Sequence, residues 1–321
     1  MGTPRRFLRD VGVFLLVLVP FYVVLLNMLA FVVPHKLLRN VDYPLAGHGH
    51  MLSRLRDVER TGPVDVLFLG SSHTYRGFDP RIFAAHGWSS FNLGSSGGSP
   101  LQTEAMVDRY LERLDPKLVV FEVHPSRFED EGLESTLDLV ANGGMDARTW
   151  ELVLHLRHVK ALNAALHATV RAVLGLDADL EQPVARLGDL YVGNGYVEHK
   201  AAEFEAEGRL KPRMAIYRDD QVAAFERTLA KLRAGGRTVV LVEAPVTKWF
   251  RASYGDHDDF AARMKRMAPY MDFSSMAGLE DSLHFYTKGH LDQAGVEIFD
   301  AVLIDSLQAR GFLPPPSNGL R

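Results

Sequence analysis

Polarity along the chain switches between three regimes, and each switch marks an element. Residues 11–33 run 23 positions without a charge, long enough for a helix to cross the hydrocarbon core of a bilayer. Residues 64–69 (VDVLFL), 118–123 (LVVFEV) and 238–243 (TVVLVE) are short and nearly all apolar, the pattern of strands buried on both faces. A shorter run reaching Phe91 and another at residues 270–273 predict two more strands. Between these runs the period becomes helical. Val107, Tyr110, Leu111 and Leu114 share one face, as do Val222, Phe225, Leu229 and Leu232, and again Val296, Phe299, Leu303 and Leu307. Ser99, Pro100 and Gln102 have the spacing of a helix start, and Gly235-Gly236 ends a helix. Alternating strands and helices predict an α/β fold, with a mostly parallel sheet covered on both faces and right-handed crossovers.

The middle of the chain is less regular. Asp146 reads as a helix cap, and residues 148–174 as one long helix or two. Val159, Leu162, Leu166, Val170 and Val173 form a stripe that either packs on the core as a cap or meets a membrane surface. Residues 175–213 are polar and irregular, so 142–213 reads as an insertion. The predicted organisation is a tail and transmembrane anchor (1–36), a connector (37–63), an α/β domain (64–312) and a short tail (313–321). A helical pattern at residues 51–60 lies within the connector.

Composition removes several classes of function. The 321 residues are 47% hydrophobic and 24% charged, as in a globular protein. A net charge of −4 offers no concentrated basic face for nucleic acid. The absence of cysteine excludes disulfides, thiolate metal sites and cysteine nucleophiles. Arg5, Arg6 and Arg9 precede the apolar run, which is too long for the apolar region of a cleavable signal peptide and lacks a cleavage site. It reads as an uncleaved anchor with the α/β domain outside the cytoplasm. Lys36 and Arg39 follow closely, so the charge bias is slight, and the orientation rests on the short tail together with the family resemblance described below. His48 and His50 form a His-x-His pair without a spaced third ligand, and read as exposed loop histidines rather than a metal site.

Candidate chemistry begins at Gly70-Ser71-Ser72-His73. Glycine at the end of a buried strand permits a sharp turn and presents the next hydroxyls at the edge where open α/β sheets bind ligands. These serines either cap the next segment or carry a nucleophile, which needs a histidine base. His73 adjoins Ser72, but neighbouring side chains at a strand end point apart. Further blocks are Phe91-Asn-Leu-Gly-Ser-Ser-Gly97, Phe121-Glu-Val-His-Pro-Ser126-Arg127, and FYTKGHLDQAG at residues 285–295.

In this order, over residues 64–123 and 238–307, the blocks resemble the SGNH (GDSL-like) hydrolase superfamily. They look closest to its membrane-anchored branch, which includes the D-alanyl-lipoteichoic-acid transfer protein and the alginate and peptidoglycan O-acetylation proteins. The resemblance implies a flavodoxin-like three-layer α/β/α sandwich. It implies Ser72 as nucleophile, His290 as base, and Gly97 and Ser126 as oxyanion donors beside the Ser72 amide. Two positions depart from the family pattern. Thr287 stands where the orienting Asp belongs, and Ser126 where Asn belongs. Asp281, six residues before Thr287, is the candidate acid in its place. Asp281-Ser-Leu-His284 is itself an intact Asp-x-x-His, which leaves His284 open as the base. The resemblance further implies a cofactor-free acyltransferase or esterase in the inner (cytoplasmic) membrane. It implies an envelope polysaccharide or related polymer as substrate and a membrane-bound O-acyltransferase as partner. Thr287 and Ser126 keep a second class open, a weakly active or inactive domain that binds glycan or scaffolds the acyltransferase.

Overall fold

The computed structural model describes residues 4–34, 37–38, 40, 43–47, 49–199, 204 and 211–315. The chain opens with α1 (Pro4–Val32), which Pro20 does not break. Among the described residues it is the one helix long and apolar enough to cross a membrane. The amphipathic α2 (Met51–Val58) buries Met51, Leu52, Leu55 and Val58. Then come β1 (Val66–Leu69), the short helices α3 (Ser72–Gly77) and α4 (Pro80–Ala85), β2 (Ser90–Asn92), α5 (Pro100–Leu114) and β3 (Leu118–Glu122). Helices α6 (Pro125–Glu129), α7 (Leu133–Asn142), α8 (Ala147–Leu156) and α9 (Val159–Val173) follow. A small antiparallel sheet comprises β4 (Ala185–Arg186), β5 (Asp189–Gly193) and β6 (Tyr196–His199). The body resumes with α10 (Asp219–Ala234), β7 (Thr238–Glu243), α11 (Lys248–Arg251), α12 (His257–Met267) and β8 (Tyr270–Asp272). It closes with α13 (Asp281–His284), the hairpin of β9 (Phe285–Thr287) and β10 (His290–Leu291), and α14 (Gln293–Ala309).

The main sheet runs β2-β1-β3-β7-β8, and every pairing in it is parallel. This is the flavodoxin-like order, whose crevice opens between the first and third strands. Alternation along the strands divides the core in two. Leu67, Leu69, Val119, Phe121 and Leu241 pack with Leu111 of α5 and Phe225 of α10. Val66, Phe68, Val120, Val240 and Val242 pack with Phe83 of α4 and Phe299 and Leu303 of α14. The helix starts are built as their sequences require. Ser99 accepts from Gln102 N, and Asp146 accepts from Thr149 N.

Two features of the middle region differ from expectation. The Val159–Leu162–Val173 stripe of α9 stays exposed, while Ala161, Ala164, Ala165 and Ala168 pack against Leu137 and Val140 of α7. Alanine wins that face because its small side chain lets two helices approach closely. The tract after α9 is not wholly irregular, since β4–β6 bury Tyr196 and Val197. Alternate Gly193 and Gly195 had obscured its strand pattern. This small sheet is fastened beside β2, where Asn92 N donates to Asn194 O at 2.9 Å.

A polar seam joins α1 to α9. Tyr22 Oη donates to Asn163 Oδ1 at 2.5 Å, Asn27 Oδ1 lies 2.8 Å from His167 Nδ1, and Phe31 meets the His167 ring edge-on. His48 lies outside the described residues. His50 is not an exposed loop histidine: it is 2% exposed and stacks on Tyr191 at the start of α2.

Candidate active site

The crevice between β1 and β3 is shaped by one glycine. Gly70 has φ +140°, and a side chain there would collide with Thr74 and with Glu122 Oε2. The turn carries the chain from β1 into α3. Ser71 caps that helix, accepting from His73 N, and Ser72 is its first residue. Ser72 Oγ lies 2.9 Å from His290 Nε2. The β9–β10 hairpin sets the imidazole, with His290 Nδ1 2.8 Å from Thr287 Oγ1. For Nε2 to accept the serine proton, Nδ1 must carry the other proton and donate it to Thr287. Tyr286 stacks beside the ring at 5.6 Å. Burial, then the nearby charges of His73, Arg76 and Arg127, hold His290 well below its ordinary value. The imidazole is therefore neutral at neutral pH, the state a general base requires.

Asp281 does not reach this imidazole. Its carboxylate accepts from Lys248 N at 3.2 and 3.3 Å, because α13 directs it toward the start of α11. The partner of His290 Nδ1 is Thr287, three residues away across the hairpin turn. His284 is also turned elsewhere, its Nδ1 accepting from Glu280 N at 2.9 Å. Of the two histidines left open by sequence, His290 faces Ser72.

The two oxyanion candidates differ. Gly97 has φ +58° in a loop packed on the nucleophile turn, where Ser95 N donates to Gly70 O and Gly98 lies against Ser71. The amides of Ser72 and Gly97 have no acceptor among the described residues. Ser126 is otherwise engaged. Its hydroxyl donates to His124 Nδ1 at 2.8 Å and accepts from Arg127 Nε at 3.1 Å. Its shorter side chain closes a local turn at the start of α6 instead of reaching across to Ser72.

One central group escaped the sequence reading. Glu122, the last residue of β3, is 2% exposed. Its Oε2 accepts from Ser71 N (3.0 Å), Ser71 Oγ (2.9 Å) and Thr74 Oγ1 (3.3 Å), and its Oε1 is 3.3 Å from His73 Nδ1. Burial pushes this carboxyl up, but His73 and the Ser71 donors outweigh it and hold Glu122 below its ordinary value. It is an ionised carboxylate directly beneath the nucleophile turn. A Glu at a strand end reads from sequence as a polar terminator; only the strand pairing places it under Gly70.

The inserted sheet closes one side of the crevice. Arg76 of α3 makes a two-pronged ion pair with Asp189 of β5 at 2.5 and 2.7 Å. Asp189 also lies 2.8 Å from His199 Nδ1, and His199 stacks on Tyr286 at 3.8 Å. Arg76 is thus neutralised within the fold rather than free to bind an anion.

No family model matches the chain, and a search of curated proteins finds no match. Solved structures with a similar fold include a Bacteroides fragilis protein assigned as an acylhydrolase (14% identity, 84% of this chain and 99% of that one, TM-score 0.37). A GDSL-like lipase from Bacteroides thetaiotaomicron is 13% identical over 82% of this chain and 98% of its own, with a TM-score of 0.41. A two-domain esterase active on acetylated mannans is 13% identical over 84% of this chain and 56% of its own, with a TM-score of 0.33. These are distant likenesses of fold.

Proposed function

We propose that this chain is a membrane-anchored serine acyl-transfer enzyme of SGNH type, an esterase or transferase that works through an acyl group on Ser72. The observation that carries the proposal is the 2.9 Å approach of Ser72 Oγ to His290 Nε2. His290 takes the serine proton as Oγ attacks an ester carbonyl, and Thr287 holds the required tautomer. The free amides of Ser72 and Gly97 suit the charge developing on the carbonyl oxygen. Acylated Ser72 then passes its acyl group to water or to an acceptor hydroxyl.

Helix α1 and the uncovered Val159, Leu162 and Val173 of α9 beside it support a domain seated on the membrane. With the sequence resemblance, they favour an extracytoplasmic domain, an envelope polymer as acceptor and a membrane-bound O-acyltransferase as donor partner. A fluorophosphonate probe should label the full-length protein in detergent, and Ser72→Ala should abolish that labelling. An unlabelled wild-type protein would leave the glycan-binding or scaffolding alternative, which Thr287 in place of a carboxylate favours. A reporter fused after Leu313 that is active only in the cytoplasm would overturn the envelope assignment.

A further inference from the structure

His73 has a partner arrangement that Ser72 and His290 do not use. Its Nδ1 lies 3.3 Å from Oε1 of the buried, ionised Glu122. Nδ1 therefore carries a proton and donates it. Nε2 has no hydrogen-bond partner among the described residues, and the side chain keeps 10% of its surface exposed. Arg76, Gly289 and His290 line the same small pocket. The His73 and His290 rings are 5.4 Å apart. A side chain at position 289 would stand 2.7 Å from His73 Nε2, so glycine there leaves that nitrogen its space. Ser72 and His73 open a helix, where successive side chains diverge by about 100° rather than the 180° of a strand. Both therefore serve one pocket.

On the serine-based reading above, we propose that His73, oriented by Glu122, is a second acid–base residue that handles the substrate oxygen while His290 handles the serine proton. The cycle starts with His73 protonated on Nε2 opposite the Glu122 carboxylate. In acylation His290 Nε2 takes the Ser72 proton and Oγ bonds to the acyl carbon. The ester C–O bond breaks, and the departing oxygen takes the His73 proton. In deacylation the acceptor hydroxyl gives its proton to His73 Nε2 as its oxygen bonds to the acyl carbon. The bond to Oγ breaks, and Ser72 recovers its proton from His290. Each residue ends as it began.

Leaving-group dependence tests this division. p-Nitrophenoxide departs without a proton, whereas ethoxide needs one. With the full-length protein in detergent, His73→Gln should lower kcat/KM for ethyl acetate about 100-fold more than for p-nitrophenyl acetate, within the usual range of general acid catalysis. Glu122→Gln should shift the ratio in the same direction, and Glu243→Gln, at a different Glu–His pair, should leave it alone. Gly289→Ala is the variant that spares His73 itself. Its φ is an ordinary one, so only the His73 ring must move, and it should reproduce the shift at smaller size. Equal losses on the two esters in His73→Gln and Gly289→Ala, or no loss on either, would overturn the proposal while Ser72 still acylates. If wild-type protein gives no acyl-enzyme burst with p-nitrophenyl acetate, the serine mechanism itself falls, and the role of His73 with it.

Discussion

His290 and His73 stand 5.4 Å apart, but the first leans on a hydroxyl and the second on a buried carboxylate. A hydroxyl fixes which nitrogen carries the proton and does little for an imidazolium. A carboxylate does both. The histidine touching Ser72 is thus held neutral by its burial, and its neighbour donates through Nδ1 to a carboxylate. A third histidine shows that carboxylate backing alone does not make a site. His257 Nε2 is 3.1 Å from Glu243 Oε1, and its Nδ1 receives Arg251 at 3.2 Å. Tyr270 donates to the other Glu243 oxygen at 2.5 Å. Both ring nitrogens are engaged, so this pair ties β7 to β8 and α12. What distinguishes His73 is the nitrogen it leaves free.

The sharpest way to break the contrast is His290→Ala, which should lower acylation by p-nitrophenyl acetate by roughly 10⁴-fold or more. Burst kinetics would check this, and a comparable loss on that ester in His73→Gln would erase the distinction between the two imidazoles. Next comes Glu122→Ala, which removes the acceptor of Ser71, Thr74 and His73 and should destabilise the domain by about 3–5 kcal/mol in urea unfolding. The pH dependence refines it. Because Glu122 is depressed in the fold, its stabilisation is complete above its ordinary value of 4.5 and is lost as pH falls through the lower folded value. Glu122→Gln should therefore flatten the acid limb of stability. Glu243 is raised by burial and contributes with the opposite sign, so Glu243→Gln should leave that limb no flatter. Thr287→Val should cost about tenfold in kcat/KM, the value of one lost neutral hydrogen bond. Smallest is Asp281→Asn. With its carboxylate on Lys248 N, turnover should change by less than about twofold, and a loss of orders of magnitude would mean that α13 swings toward His290 in the working enzyme.

The buried strands and the amphipathic helices α5, α10 and α14 were legible because a parallel sheet demands unbroken apolar runs, and helices covering it demand one apolar face. Ser72 was legible because its motif ends a buried strand, whereas His290 came from the resemblance alone and His284 stayed open until the hairpin placed His290 Nε2 at Ser72. The acid was not legible. Five residues of short helix and strand separate Asp281 from Thr287, and no periodicity says where such a segment aims a side chain. His73 was rightly set aside as the partner of Ser72, which is His290, but the helix that begins at Ser72 and the buried Glu122 beside His73 were not legible. Of the two readings of the α9 stripe, packing on the core fails, because alanines took the packed face.

The seam between α1 and α9 bears on reach. Tyr22, Asn27 and Phe31 grip α9 over more than two turns of α1, so α1 joins the body as a stem instead of a leash. With that stem in a bilayer, the mouth beside Ser72 is held at one height and one tilt, and it sweeps the surface only as the whole molecule diffuses. On the proposed reading, the ester substrate must then present itself at that fixed altitude, which selects substrates by where they stand above the membrane as well as by what they are.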